Sequence, residues 1–160
     1  MTTTASFGWG TGYVGTMPTT EVDLALTERL AVQQTLARYA FALDHGDLVA
    51  LKSLLTEDST MAVTTAGDVE QGPFTGRAAV LDLVRKATQV QTDQRRHNLT
   101  NMVIRSADAG TAEVWAYLTL TSNAGGSATV IATGFYALTL QRAQGEWLIA
   151  KVLVGLDNAI

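Results

Sequence analysis

The chain has 160 residues, a formal net charge of −4, 47% apolar residues, 16% charged residues and no cysteine. That length suits a single well-packed core, and the low charge excludes a disordered chain. Disulfides, thiol nucleophiles and cysteine-based metal centres are excluded too, and eleven basic against fifteen acidic residues leave no basic stripe for nucleic acid.

Residues 1–20 read as an irregular arm rich in Thr and Gly, closed by Pro18 and carrying Phe7, Trp9 and Tyr13. A free tail has little use for three aromatics, so docking on the domain, on a second subunit or at a pocket mouth is one alternative and a loose arm the other. The arm has neither a basic n-region nor an apolar h-region, and no apolar run in the chain approaches ~18 residues. A cytoplasmic protein that enters no membrane is the expectation.

Residues 21–160 are expected to form one domain. From Val22 the pattern turns helical: with Leu26 as origin, Leu30, Ala37, Phe41 and Leu48 fall within about 60°, and Val32, Leu36 and Leu43 widen the apolar arc to roughly 200°. Glu28, Thr35, Arg38 and His45 fill the polar remainder. So wide an arc predicts a helix covered on two sides. Gly46 is a stop, and Asp47 is an N-cap for a short second helix through Leu55, with Glu57 and Asp58 at the exit.

Met61 to Val63 reads as a strand, Gly67, Gly72, Pro73 and Gly76 as turns, and Arg77 to Thr88 as a third helix. Beyond Gln89 the period becomes two. His97–Arg105, Ala112–Ser122, Ser127–Gln141 and Trp147–Leu156 are strand-like, and the breaks between them are short enough for hairpins. Helices followed by an antiparallel meander make an α+β pattern.

Asp44, eighteen positions from Leu26, returns to the same helical angle and projects from the apolar stripe near the helix end. Burial and the negative end of the helix dipole disfavour its charge, so it needs a partner. It either caps backbone donors or works in a cleft. His97, opening a strand in RRHNLTN, is the candidate partner, because a near-neutral imidazole suits proton transfer. A satisfied structural imidazole is the alternative, and His45 on the polar arc reads as exposed. Tyr39 lies about 140° from Asp44 on an ideal helix, so simple packing rivals a site role.

Gly10, Gly12 and Gly15 match a dinucleotide-binding spacing, but no strand precedes them and Pro18 follows where a helix should run. Asn98, Leu99 and Thr100 form a glycosylation sequon that is idle without export. Two separated histidines make no metal centre. Phe41, Asn101, Trp115, Tyr117 and Thr119 are candidate substrate-pocket residues; which face of the strand around Trp115 lines the pocket stays open.

The ordered set of RYAFALDHGDLVALKSLLTEDS, GPFTGRAAV, RHNLTNMVI, TAEVWAYLTL and GEWLIAKVLV, spanning about Val22 to Asn158, resembles the SnoaL-like branch of the nuclear-transport-factor-2-like superfamily. The resemblance implies an α+β cone: a curved mixed sheet packed with N-terminal helices around an apolar pocket, forming a homodimer or higher homo-oligomer. It implies relatives such as polyketide cyclases, steroid isomerases, scytalone dehydratase and bile-acid dehydratases, which need neither metal nor organic cofactor. By that likeness Tyr39, Asp44 and His97 meet as a catalytic set. Relatives commonly add a second acid or histidine from the next strand, where this chain offers only Thr119, Thr121 and Ser122.

The expectation is a cofactor-free lyase, isomerase or cyclase acting on a hydrophobic, polyketide-like or steroid-like small molecule. Its rivals are a pocket that templates a pericyclic cyclisation by proximity, a non-catalytic ligand-binding or assembly module, and an auxiliary subunit of an oxygenase.

Overall fold

The computed structural model describes residues 4–108 and 110–160. The first three residues of the arm, and residue 109 in the turn expected at Ala107–Gly110, lie outside the described residues. Four helices, α1 (Thr11–Val14), α2 (Leu26–His45), α3 (Leu48–Leu54) and α4 (Arg77–Val90), accompany six strands. These are β1 (Leu55–Thr65), β2 (Val69–Thr75), β3 (Gln94–Ala107), β4 (Thr111–Ala124), β5 (Ser127–Ala143) and β6 (Glu146–Leu156). They form one curved sheet in the order β2-β1-β6-β5-β4-β3. β1 and β6 are parallel and every other neighbouring pair is antiparallel. The fold is α+β with a mixed sheet, and its last four strands are the meander predicted from the period-two runs.

The end of α2 follows the sequence signals closely. Gly46 takes the left-handed conformation with φ 61°, and the Asp47 N–H reaches back to the Ala42 carbonyl at 2.9 Å. The Asp47 carboxylate then accepts the Ala50 N–H at 2.9 Å, starting α3. This tight exit fixes the last turn of α2, which carries Asp44, against β3.

The buried face of α2 departs from the helical-wheel expectation. Val32, Thr35, Leu36, Tyr39 and Ala42 form it, while Leu26, Leu30 and Phe41, at the centre of the expected stripe, are 71%, 55% and 66% exposed. α2 packs on β3 and β6 of the sheet and against α3, and the flank carrying Leu26, Leu30 and Phe41 stays open. The wheel counts Thr35 as polar, but its hydroxyl donates to the carbonyls of Ala31 and Trp147 at 3.2 and 3.0 Å, so it enters the core at little cost. Glu28 anchors the same helix from its flank, accepting from Trp147 Nε1 at 2.7 Å and from Arg142.

β2 is the second departure. Gly72 and Pro73, expected as turns, lie inside an edge strand, where the missing proline N–H interrupts no ladder.

Along β4 the even positions, Ala112 through Ser122, are buried beneath the helices, and the odd positions face the opposite side. The arm docks on that opposite side. Trp9 lies 5.3 Å from the Phe135 ring and donates to Asp157 Oδ1 at 2.7 Å, while the Tyr13 hydroxyl donates to the Gly67 carbonyl at 3.0 Å. Phe7 takes no part and is fully exposed. Phe135 can lie flat only because residue 155 is glycine, since a Cβ there would stand 2.3 Å from its ring.

Candidate active site

Asp44 and His97 meet where the end of α2 crosses the start of β3. His97 pairs with Leu120 of β4, so its side chain points toward the helices. Asp44 Oδ1 accepts the His97 backbone N–H at 3.0 Å and lies 2.8 Å from His97 Nδ1. Both roles open to Asp44 from sequence, backbone cap and imidazole partner, are thus filled by one oxygen. The Asp44 side chain is 8% exposed and that of His97 20%, so the pair is largely withdrawn from water yet reachable. A proton on Nδ1, donated to the carboxylate, would leave Nε2 with a free lone pair, the arrangement a general base requires.

The pair opens on a cleft of about 360 Å³ bounded by Ala37, Ala40, Phe41 and His45 of α2 and by Leu99 and Thr100 of β3. Of the apolar stripe that misses the core, Phe41 lines this cleft, while Leu26 and Leu30 lie outside it. His45 is exposed, as its polar-arc position predicts, with its ring 5.9 Å from that of Phe41.

Tyr39 sits behind the pair, 1% exposed, and its hydroxyl has no hydrogen-bond partner among the described residues. Its ring meets Tyr136 of β5 edge-on at 6.1 Å. Burial pushes both phenols well above their usual pKa; for Tyr136 the neighbouring Tyr39 and Asp44 add to the shift. Both stay protonated donors at any working pH. Sequence reasoning missed Tyr136, although it sits in the apolar row Ala132, Tyr136, Leu138, Leu140.

The other expected pocket residues do not join this cleft. Trp115, Tyr117 and Asn101 line a separate space of about 710 Å³ between the sheet and the docked arm, together with Phe7, Trp9 and Phe135. Thr119 alternates with them on the same outer face. The period of two places all the odd residues of β4 opposite His97.

A second polar group stands on the helix-facing side of β3. Ser122 donates to Asp93, and Arg95 Nε lies 3.2 Å from each Asp93 carboxylate oxygen. The Ser122 hydroxyl first, and then Arg95, hold the Asp93 pKa below the usual carboxylate value against desolvation. Among the described residues no group of three or more His, Asp or Glu side chains is placed to hold a metal ion.

The SnoaL-like domain family matches residues 24–152. The chain belongs to that family. The SnoaL-like family includes cofactor-independent cyclases and isomerases. No curated protein matches the sequence significantly. Among solved structures, Aln2 from a Streptomyces species is 24% identical with a TM-score of 0.72, covering 84% of this chain and 94% of that one. A Catenulispora acidiphila protein in complex with S-DNPA is 23% identical with a TM-score of 0.73, covering 83% and 96%. An NTF2-like protein with a cystatin-like fold from Novosphingobium aromaticivorans is 23% identical with a TM-score of 0.69, covering 82% of each chain. At these identities the likeness establishes the fold. No helix among the described residues is long and apolar enough to cross a membrane.

Proposed function

We propose that this SnoaL-like chain is a cofactor-independent lyase, isomerase or cyclase acting on a hydrophobic, carbonyl-bearing small molecule of polyketide-like or steroid-like character. The observation that carries the reading is the double hold of Asp44 Oδ1 on His97, at 3.0 Å to the backbone and 2.8 Å to Nδ1. His97 Nε2 removes a proton next to a carbonyl or delivers one to a leaving group; Asp44 fixes the tautomer and stabilises the imidazolium as it forms. The Tyr39 hydroxyl, buried and unpartnered, is the donor for the developing oxyanion, with Tyr136 beside it. The apolar wall of Ala37, Ala40 and Phe41 suits a hydrophobic substrate and strengthens each polar contact.

The test requires no knowledge of the natural substrate. A simple aryl ketone in deuterated water exchanges its α-protons slowly, and the protein should accelerate that exchange. His97→Ala should abolish the acceleration. Exchange unaffected by His97→Ala would overturn the reading.

The aromatic space on the outer face favours a second reading. Its volume of about 710 Å³ and its walls of Trp115, Tyr117 and Phe135 suit a ligand held by shape alone, as a conformational template or a carrier would hold it. Ligand binding lost in Trp115→Ala but kept in His97→Ala supports that alternative.

A further inference from the structure

The cleft beside His97 lies along the open edge of the sheet, since β3 is an outermost strand and α2 borders its free side. In an antiparallel ladder the N–H and C=O of one residue point to the same side, and the side alternates along the strand. The His97 N–H turns away from β4 to meet Asp44, so the Arg95 carbonyl, two residues earlier, leaves by the same edge. Two side chains converge on that carbonyl. Gln94 Nε2 donates to it at 2.9 Å and to the Asp44 carbonyl at 3.2 Å, and Arg96 Nη1 donates to it at 3.1 Å. The Arg96 guanidinium is thereby held at the strand edge near the end of α2, and Arg96 lines the cleft with Asp44, His45 and His97.

The charge of Arg96 is not matched there. Arg29, Arg77, Arg85, Arg95, Arg105 and Arg142 each form an ion pair, while Arg38 and Arg96 have no carboxylate partner among the described residues. Arg38 is exposed on α2 and does not line the cleft. Arg96 is unpaired in a chain with fifteen acidic residues to eleven basic ones, and it stands at the mouth of the cleft that holds His97. Its Nε and Nη2 make no hydrogen bond to the described residues, and that edge of a guanidinium is the fork that takes a carboxylate through two parallel bonds.

We infer that Arg96 is a substrate-binding residue of this cleft, and that the substrate carries a carboxylate as well as the carbonyl next to which His97 acts. This inference rests on the proposed function, whose substrate it narrows to an apolar keto acid. Arg96 is the one permanent cation among the residues lining the cleft, so it balances a single negative charge. Ala37, Ala40 and Phe41 wall the apolar body of the molecule. The Asp44 side chain is 8% exposed and engaged by His97, whereas Arg96 is exposed, so the carboxylate binds at the wet mouth and the ketone inside.

The test uses ω-benzoylalkanoates with two, three or four methylene groups between ketone and carboxylate, each compared with its neutral carboxamide. The series varies the separation of the two groups, and every member carries exchangeable protons next to its ketone. In NMR titrations of the full chain at low ionic strength, at least one acid should bind about three- to tenfold tighter than its amide, as suits an arginine–carboxylate pair at a wet site. Added salt should shrink that preference. Arg96→Gln should abolish it, Arg96→Lys should keep part of it, and Arg38→Gln should leave it unchanged. In deuterated water the preferred acid should exchange its protons with a lower KM than its amide and a similar kcat, because Arg96 holds ground state and transition state alike. A series in which no acid is preferred over its amide overturns the inference without any variant. So does a preference that survives Arg96→Gln, or one that Arg38→Gln removes as fully, which would be an effect of overall charge. His97→Ala should lose exchange and keep the preference for the acid. Preference in a wild type that catalyses no exchange would sink the proposed function alone; exchange with acids and amides bound equally would sink this inference alone.

Discussion

The Asp44 carboxylate holds His97 at two points with a single oxygen, one on the backbone N–H and one on ring Nδ1. The first contact sets where β3 begins relative to α2, and the second sets which way the imidazole faces. Fold and site are therefore coupled here, and substitutions separate them. Asp44→Asn keeps an oxygen for the backbone contact but no longer offers a carboxylate to the ring. It should lower ketone proton exchange by roughly 10²–10⁴-fold, the usual size of a general-base contribution, with a melting temperature close to that of the wild type. A fold lost in Asp44→Asn, with no separable loss of exchange, would reduce the residue to a backbone cap.

Tyr39 makes an opposite prediction for stability. Its buried hydroxyl has no partner among the described residues, and such a group costs about 1–3 kcal/mol relative to one that is satisfied. Tyr39→Phe removes that cost while preserving the ring contact with Tyr136. Calorimetry should find the melting temperature raised, by about 2–4 °C per kcal/mol recovered in a chain of this size. The exchange rate should fall. A lower melting temperature would mean that the hydroxyl is satisfied after all.

Gly155 controls the docked arm. A methyl group there would stand 2.3 Å from the Phe135 ring, forcing the ring up into the position of Trp9. Gly155→Ala should destabilise the chain by about 1–3 kcal/mol, as overpacking does, and release the arm. Faster proteolytic nicking before Thr20, together with a red shift in tryptophan emission, would report that release. Unchanged cleavage would show that the arm docks independently of Phe135.

The acid limb of stability follows from Asp93 and Glu28. Hydrogen bonds, from Ser122 and then Arg95 to Asp93 and from Arg142 and Trp147 to Glu28, lower both folded-state pKa values. Their contribution is present above the unfolded carboxylate value near about pH 4 and is lost as pH falls through the lower folded values. Asp93→Asn should therefore melt below the wild type at neutral pH, and the two curves should converge in acid. Parallel curves at every pH would contradict this.

Much of the fold is readable in the sequence because its signals are local. Gly46 and Asp47 mark the α2 exit through backbone geometry, and the period of two marks β3 to β6. The phase of α2 is less readable. A wheel scores Leu26, Leu30 and Phe41 as core and Thr35 as surface, whereas the core accepts Thr35 through its two carbonyl acceptors and leaves the leucines outside. β2 is hidden because Gly72 and Pro73 resemble a turn when no neighbouring strand is known. At the site, an unpaired carboxylate on an apolar stripe is enough to single out Asp44, a strand-opening imidazole makes His97 its candidate partner, and the family likeness adds Tyr39. Trp115, Tyr117 and Asn101 cannot be assigned to a face until the register of β4 is fixed by the pairing of His97 with Leu120. Tyr136 depends on that same register.

The central claim is that Asp44 fixes His97 with its proton on Nδ1, leaving Nε2 as the base. Nitrogen-detected NMR of the ring reads this directly, since the two ring nitrogens of a neutral histidine differ clearly in shift. The account predicts the Nδ1–H tautomer for His97 in the wild type and its loss in Asp44→Ala, with His45 unchanged in both. An Nε2–H tautomer in the wild type, or a His97 ring indifferent to Asp44→Ala, would contradict it.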